Sequence, residues 1–486
     1  MARVVVMGAG VAGHTAALHL KRKLGRGHDV IVVSPNSKWN WIPSNIWVGV
    51  DRMSERKVVF PLAPIYRKKH IEFHQAKATT LFPEGDASSS HPQIEIEYTD
   101  PSKAGQTARL NYDYLINATG PALNFAATPG LGPDHGHTVS VCTPSHAVEA
   151  AAELKTVIAR LRAGEKLTLV IGTGHGTCTC EGAAFEYVLN VDHELRREGV
   201  RENARVIFFT NEMELGDFGV GGMVIKHGDQ LMSGAALAGS LFAERGIEAV
   251  LGSAATEITA DTIHYVQLDG KPKELRYDFA MLLPPFRGAP FTAFDKSGAE
   301  ITDVLFAPSG FMRVDADYTP KPFDAWKASD WPHTYQTPSY PNIFAAGIAF
   351  APPHAISKPY QTPEGVMIAP APPRTGQPSG AMGKAVAFSI VDMIKTGSTT
   401  PTHGAPMNKL AAACVASAGT GAFEGSAVAM VMSPIIPDLE AYPETGRNMR
   451  ETSAEIGLGG HWAKRVLHTA FMYKMHGYPF WWIVPE

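Results

Sequence analysis

Two things are scarce in this chain of 486 residues: cysteine, with four, and uninterrupted apolar sequence. No apolar run reaches the roughly 18 to 20 residues of a membrane span, which excludes a bilayer-crossing helix as the organising feature. Four cysteines are too few to staple a fold of this length. Met1-Ala2-Arg3 passes straight into an apolar strand, without a charged leader and apolar signal region. The expectation is a cytoplasmic protein whose thiols are reduced and kept for chemistry. Positive charge is not in excess either: 43 Lys and Arg against 47 Asp and Glu leave a formal net charge of −4, which argues against nucleic acid as a partner. No internal repeat or low-complexity tract interrupts the chain. What remains, 45% apolar and 19% charged residues, is an ordinary globular composition, long enough for two or three domains.

What is present begins at once. Val4-Val5-Val6-Met7 reads as a buried strand and feeds into Gly8-Ala9-Gly10-Val11-Ala12-Gly13, a GxGxxG turn followed by the helix-forming Thr15 to Leu20. Gly8 allows the tight turn, Gly10 lets backbone approach a pyrophosphate, and Gly13 packs helix on strand, so helix amides face the phosphates. A second strand, Asp29 to Val33, ends at Ser34, where an acidic residue commonly holds the adenosine ribose; a hydroxyl can still make that bond. Two further strands end in small residues: Tyr114 to Asn117 before Ala118-Thr119-Gly120, and Ile343-Phe344-Ala345-Ala346 before Gly347. Several small-residue strand ends along one crevice fit the length of FAD better than that of NAD.

Residues 1–125 and 300–395 are therefore expected to form an FAD domain. Between them, residues 126–299 read as a second Rossmann-like unit. The helix from Ser145 to Arg162 leads to strand Leu167 to Ile171 and then Gly172-Thr173-Gly174-His175-Gly176, with a later strand from Ala204 to Phe209. Thr177-Cys178-Thr179-Cys180-Glu181-Gly182 follows that second glycine loop and puts thiols at the entrance of a helix. Such a unit can keep the fold of a nucleotide binder without binding one. Residues 353–380, rich in Pro and Gly, are expected to be an ordered loop over the flavin.

With these residues in view the chain resembles the two-dinucleotide-binding-domain, disulfide-reductase-like flavoproteins, and within them the sulfide:quinone oxidoreductases. The resemblance is carried by Trp41-Ile42-Pro43-Ser44-Asn45-Ile46-Trp47, Gly216 to Gly222, Pro284 to Gly288 and Pro373-Arg374-Thr375-Gly376, and covers nearly the whole length. It implies FAD contacts from Gly8, Ala9, Gly10, Gly13, Ser34, Pro43, Ser44, Asn45, Ala78, Ala118, Thr119, Gly120, Gly347, Ile348, Arg374, Thr375 and Gly376. It also implies a quinone beside Phe286, Ile348 and Arg374, with Arg374 in the place of a family lysine. A fixed guanidinium there would stabilise negative charge on reduced flavin.

Oxidising sulfide through a flavin requires a sulfur relay, in which hydrosulfide attacks a disulfide or polysulfide and the released thiolate delivers two electrons to the flavin. Cys180, after a glycine loop and at a helix start, suits a thiolate, and Cys180 to Glu186 resembles one redox segment of the family. Cys142-Thr143-Pro144-Ser145-His146 resembles another. The third family cysteine follows Gly-Ile, where this chain has Ala349. Either Cys180 works with Cys142, or Cys178 supplies the missing thiol, or the chain is a divergent branch with another substrate. His146 could move the hydrosulfide proton or cap the following helix; His175 is a weaker candidate. Cys414, in an apolar small-residue run, reads as buried structure. No spacing reads as a metal site.

Residues 396–486 are expected to end in an amphipathic, membrane-associating region. Trp462, Val466, Leu467, Ala470, Phe471 and Met475 fall roughly on one helical face, Lys464, Arg465, His468 and Lys474 largely elsewhere, and an aromatic tail follows from Tyr478 to Trp482. That pattern suits a helix lying in the headgroup region, where a water-insoluble quinone is reached. The reading is a peripheral protein on the cytoplasmic side of the plasma or inner membrane, a homo-oligomer, with sulfide and quinone as substrates. Rival readings are a type II NADH:quinone oxidoreductase, a sulfide dehydrogenase flavin subunit that reduces a cytochrome, and a redox-sensing flavoprotein without fast turnover.

Overall fold

The structure, a computed structural model, describes residues 1–179, 181–227, 230–373, 376–419, 421 and 425–486. Cys180, Arg374 and Thr375 lie outside the described residues.

Val4 to Met7 are fully buried because their strand runs through the middle of a parallel sheet, covered on both faces. That sheet has eight strands in the order Ile343–Ala345, Tyr114–Asn117, Arg3–Met7, Asp29–Ser34, Glu72–Phe82, Gln93–Tyr98 and Thr107–Asn111, with Thr292–Ala293 added beside Glu72–Phe82. The first five are parallel and the next two antiparallel. Residues 292–293 and 343–345 thus bring the chain back to the sheet on which it started. Helix Val11–Leu24 lies against helix Gln377–Thr396 so closely that a methyl on Gly383 would stand 2.3 Å from the Ala12 carbonyl oxygen.

The intervening sheet is all parallel: Ile247–Val250, Ala204–Phe209, Leu167–Thr173 and Phe279–Leu283. Helix Pro144–Arg162 leads into it, and helix Glu181–Arg197 follows its central strand. The two units join where Phe286–Gly288 pairs antiparallel with Pro121–Leu123. This is the mixed α/β fold of two dinucleotide-binding domains that the glycine loops predict.

A three-stranded antiparallel meander, Ala412–Ala418, Ser426–Met432 and Ser453–Gly457, covers helix Glu181–Arg197 and runs into the C-terminal helix Leu458–Met475. Here the helical-face reading is corrected. Phe471 and Met475 are buried, whereas Trp462, Val466 and Leu467 face outward. Lys464 and Lys474, expected off the apolar face, are buried: Lys464 pairs with Glu186, and Lys474 sits 2.8 Å from Glu486, whose carboxylate is also 3.0 Å from His19. Buried carboxylates draw these ammonium groups inward and leave an apolar stripe outside. Among the described residues, no helix is long and apolar enough to cross a membrane.

Candidate active site

Strand ends Met7, Asn117 and Ala345 lie side by side, so the turns that follow them share one crevice. Gly8 takes φ +97°, and a methyl there would lie 2.1 Å from the Ala118 carbonyl oxygen; one on Gly13 would lie 2.1 Å from the Gly8 carbonyl oxygen. These two glycines serve the protein's own packing. Gly10, Gly120 and Gly376 are different, for a side chain at any of them would meet nothing within 4 Å. Gly10 is also the N-cap of helix Val11–Leu24 and supplies no side chain to its first amides, which leaves donors for a phosphate. Open glycine surface above an uncapped helix start is a cradle that fits FAD.

The other expected cofactor residues are placed as follows. Ser34 is buried at its strand end, where its Oγ accepts the Asn36 amide at 3.3 Å. Ala9 and Ala118 are buried, and the Thr119 hydroxyl donates to Asn117 at 2.8 Å. Ala78 is buried in strand Glu72–Phe82 beside a register shift. Pro43 and Ser44 form a short turn; Ser44 bonds His468 at 2.9 Å, and Asn45 donates to the Val141 carbonyl at 3.2 Å, next to Cys142. Gly347 opens a turn through Ile348 to Ala349 and packs on Ala12. Ile348 and Phe286 are half-buried, Phe286 on the strand that links the two units.

Cys178 and Cys414 lie near the start of helix Glu181–Arg197. Cys178 is buried, its thiol donates to the Leu283 carbonyl at 3.0 Å, and Cys142 is among the groups that act on it electrostatically. Cys414, whose segment reads as buried structure, is half-buried, with its sulfur 3.1 Å from where a Gly182 side chain would begin. The described thiols are not activated. Burial pushes Cys142 and Cys414 up to about 11, and Cys178 well above the ordinary thiol value, with Glu181 adding to the rise. His146 gives its amide to Thr143, the actual N-cap, and turns its ring to Phe125 at 5.8 Å. Burial holds that ring below the usual histidine value. His175 bonds Thr177 at 3.0 Å and is lowered by burial too.

Three acids close this corner from behind. Glu181 and Glu212 are fully buried and Asp217 partly so. Glu212 accepts the Phe218 amide at 2.7 Å and the Thr210 hydroxyl at 3.0 Å, and Asp217 accepts from Ser357. Burial pushes Glu212 up to about 8, and burial with the charge of Glu212 holds Glu181 well above the carboxylate range. Glu181 and Glu212 went unremarked in the sequence because nothing in their spacing shows that residues 181 and 212 meet. The second glycine loop is packed against other parts of the chain. Methyls on Gly174 and Gly176 would stand 2.4 Å from Leu131 and 2.2 Å from the Met367 carbonyl oxygen, and Ala369 and Ala371 donate to the Gly176 and Cys178 carbonyls.

Residues 2–303 match the pyridine nucleotide-disulphide oxidoreductase family, and the chain belongs to it. Within that class it is 29% identical over 472 residues to the sulfide-quinone reductase of Aquifex aeolicus (strain VF5), covering 97% of this chain and 90% of that one. The X-ray structure of the sulfide:quinone oxidoreductase from Aquifex aeolicus superposes with a TM-score of 0.75 at 27% identity, over 98% of this chain and 92% of the other. The mitochondrial sulfide:quinone oxidoreductase of Dictyostelium discoideum is 22% identical over 71% of this chain and 64% of its own length. NDH2 from Plasmodium falciparum shares the fold at 12% identity, with a TM-score of 0.59 over 88% of this chain and 90% of that one.

Proposed function

We propose that this protein is a flavoenzyme that oxidises sulfide to polysulfide or elemental sulfur and reduces a membrane quinone. The observation that carries the reading is the likeness over nearly the whole chain to a sulfide-quinone reductase, joined to thiols gathered at one helix start. FAD, held by the Gly8 to Gly13 turn, Ser34, the Ala118 to Gly120 turn and the Gly347 turn, supplies the two-electron step between sulfur and quinone. Residues 1–125 and 300–395 hold it, and residues 126–299 present Cys142, Cys178 and Cys180 to it. Residues 367–371 pack on the second glycine loop and buried acids lie beside it, which favours sulfide over NADH as donor.

Quinone is reached from the bilayer. The outer stripe of the C-terminal helix, Val466 at 66% exposure with Trp462 and Leu467, continues into Phe480 at 64% and Ile483 at 68%. Such a surface, with Arg465 beside it, suits the headgroup region of a membrane. Phe286 and Ile348 are the half-buried apolar residues proposed to border the quinone. The test is oxygen-free turnover of the holoprotein with a short-chain ubiquinone. Sulfide-dependent quinone reduction with sulfur or polysulfide as product is expected; reduction supported by NADH and not by sulfide overturns the reading.

A further inference from the structure

The backbone around Cys142 is held from a direction that the sequence does not show. Asn45 is fully buried and engages both amide protons inside the chain, one on the Asn40 side chain at 3.1 Å and one on the Val141 carbonyl at 3.2 Å, while its amide oxygen accepts from Asn40 at 2.9 Å. The helix it opens, Asn45–Gly49, has no slack: a methyl on Gly49 would stand 2.8 Å from the Val141 side chain and 2.9 Å from the Tyr187 ring, and the Tyr187 hydroxyl donates to the Gly49 carbonyl at 2.9 Å. Val141 precedes Cys142, and Tyr187 lies on the helix that follows Cys180. One five-residue helix is thus wedged between the segment of Cys142 and helix Glu181–Arg197. The C-terminal helix Leu458–Met475 holds the near end of that wedge. The fully buried Ser44 has its hydroxyl oxygen 2.9 Å from Nδ1 of His468, 424 positions away, Trp41 stacks on Phe471 with ring centres 4.5 Å apart, and the Lys464 ammonium lies 5.5 Å from the centre of the Trp47 ring. His468 itself is half-buried and directly follows the exposed Val466 and Leu467 of the outer stripe.

Resting on the sulfide reading above, we propose that His468 is a positioning residue for the sulfur chemistry: through Ser44 and helix Asn45–Gly49 it fixes the Val141–Cys142 backbone, so the helix that carries the exposed apolar stripe also sets where the Cys142 thiol stands. His468 touches no thiol. Its influence runs along contacts that are each in place, His468 to Ser44, then Asn45 and Gly49 to Val141. A buried hydroxyl keeps one orientation only while its partner stays, and removing the imidazole leaves Ser44 without one, at a cost that a shift of residues 44 and 45 relieves. A thiolate must meet the sulfur it attacks at near-contact distance, so a displacement of about 1 Å at Cys142 costs on the order of ten- to a hundredfold in rate.

His468→Ala in the FAD-loaded protein tests this with two readouts. With no substrate present, alkylation of Cys142 by iodoacetamide, followed by mass spectrometry, is expected to speed up by about fivefold as the Val141–Cys142 segment loosens. In anaerobic rapid mixing, flavin reduction by sulfide is expected to slow by at least about tenfold, while reoxidation of the reduced flavin by a short-chain quinone keeps its rate. His468→Asn, whose side-chain amide reaches the place of Nδ1, is expected to restore both. Ser44→Ala breaks the same contact from its other end and serves should His468→Ala not fold; the double variant is expected to be no slower with sulfide than the slower single one. A wild-type rate of Cys142 alkylation or of sulfide-dependent reduction in His468→Ala, equal slowing of both half-reactions, or failure of His468→Asn to restore them overturns the proposal. Wild-type flavin that sulfide does not reduce at all would instead remove the sulfide reading, with Cys142 alkylation still reporting on the positioning.

Discussion

At the scale of single residues, the chemistry rests on few side chains, and they differ in how legible they are. Cys142 and Cys180 are proposed from sequence because the residues around them form segments; Cys178 is proposed by adjacency alone. Ala349 is buried where the third family thiol is missing, and Cys414 comes to the first turn of helix Glu181–Arg197 from more than 200 positions away, beyond the reach of any local pattern. Cys180→Ala is expected to keep its flavin spectrum and lose sulfide-dependent flavin reduction; retained reduction would show that another thiol leads. A second prediction concerns pH. Glu212 is raised by burial to about 8, above its unfolded value near 4.5, so the folded state binds the extra proton between those values. Stability from this group is therefore present at low pH and lost as pH rises through that window, by up to about 1.4 kcal/mol per unit. Glu212→Gln should flatten the fall in denaturant midpoint between pH 6 and pH 8; an equally steep fall would show that Glu212 is already ionised.

At the scale of elements, the strands and glycine turns were legible because their cause is local: Val4 to Met7 must be buried on both faces, and Gly8 and Gly13 leave no room for a side chain. The C-terminal helix was half legible. Its apolar and cationic residues are visible in the sequence, but which stripe turns inward is decided by Glu186 and Glu486, and Glu186 lies 278 positions from Lys464. The Lys464–Glu186 pair ties this helix to the one that starts after Cys180. Lys464→Met strands a buried carboxylate and should cost about 3 to 5 kcal/mol in denaturant unfolding, with Glu186→Gln in the same chain recovering much of it. A loss below about 1 kcal/mol would mean the pair is solvated. On the outer stripe, Val466→Ser with Ile483→Ser should leave stability within about 0.5 kcal/mol while weakening co-sedimentation with anionic lipid vesicles by at least about tenfold. Unaltered vesicle binding would place the membrane contact elsewhere.

At the scale of the whole molecule, the fold buries Cys178 with Glu181 and Glu212 by the second sheet and leaves an exposed apolar stripe on the C-terminal helix that continues into its tail. The acid cluster was not legible beforehand, and of the second glycine loop the sequence shows only that it need not bind a nucleotide, not that Leu131 and Met367 pack against Gly174 and Gly176. The most direct test is rapid anaerobic mixing of the oxidised holoprotein with hydrosulfide in one syringe experiment and NADH in another, following the flavin absorbance. Bleaching by hydrosulfide, reversed on adding a short-chain quinone, with no response to NADH, is the predicted result; bleaching by NADH with indifference to hydrosulfide would contradict the account.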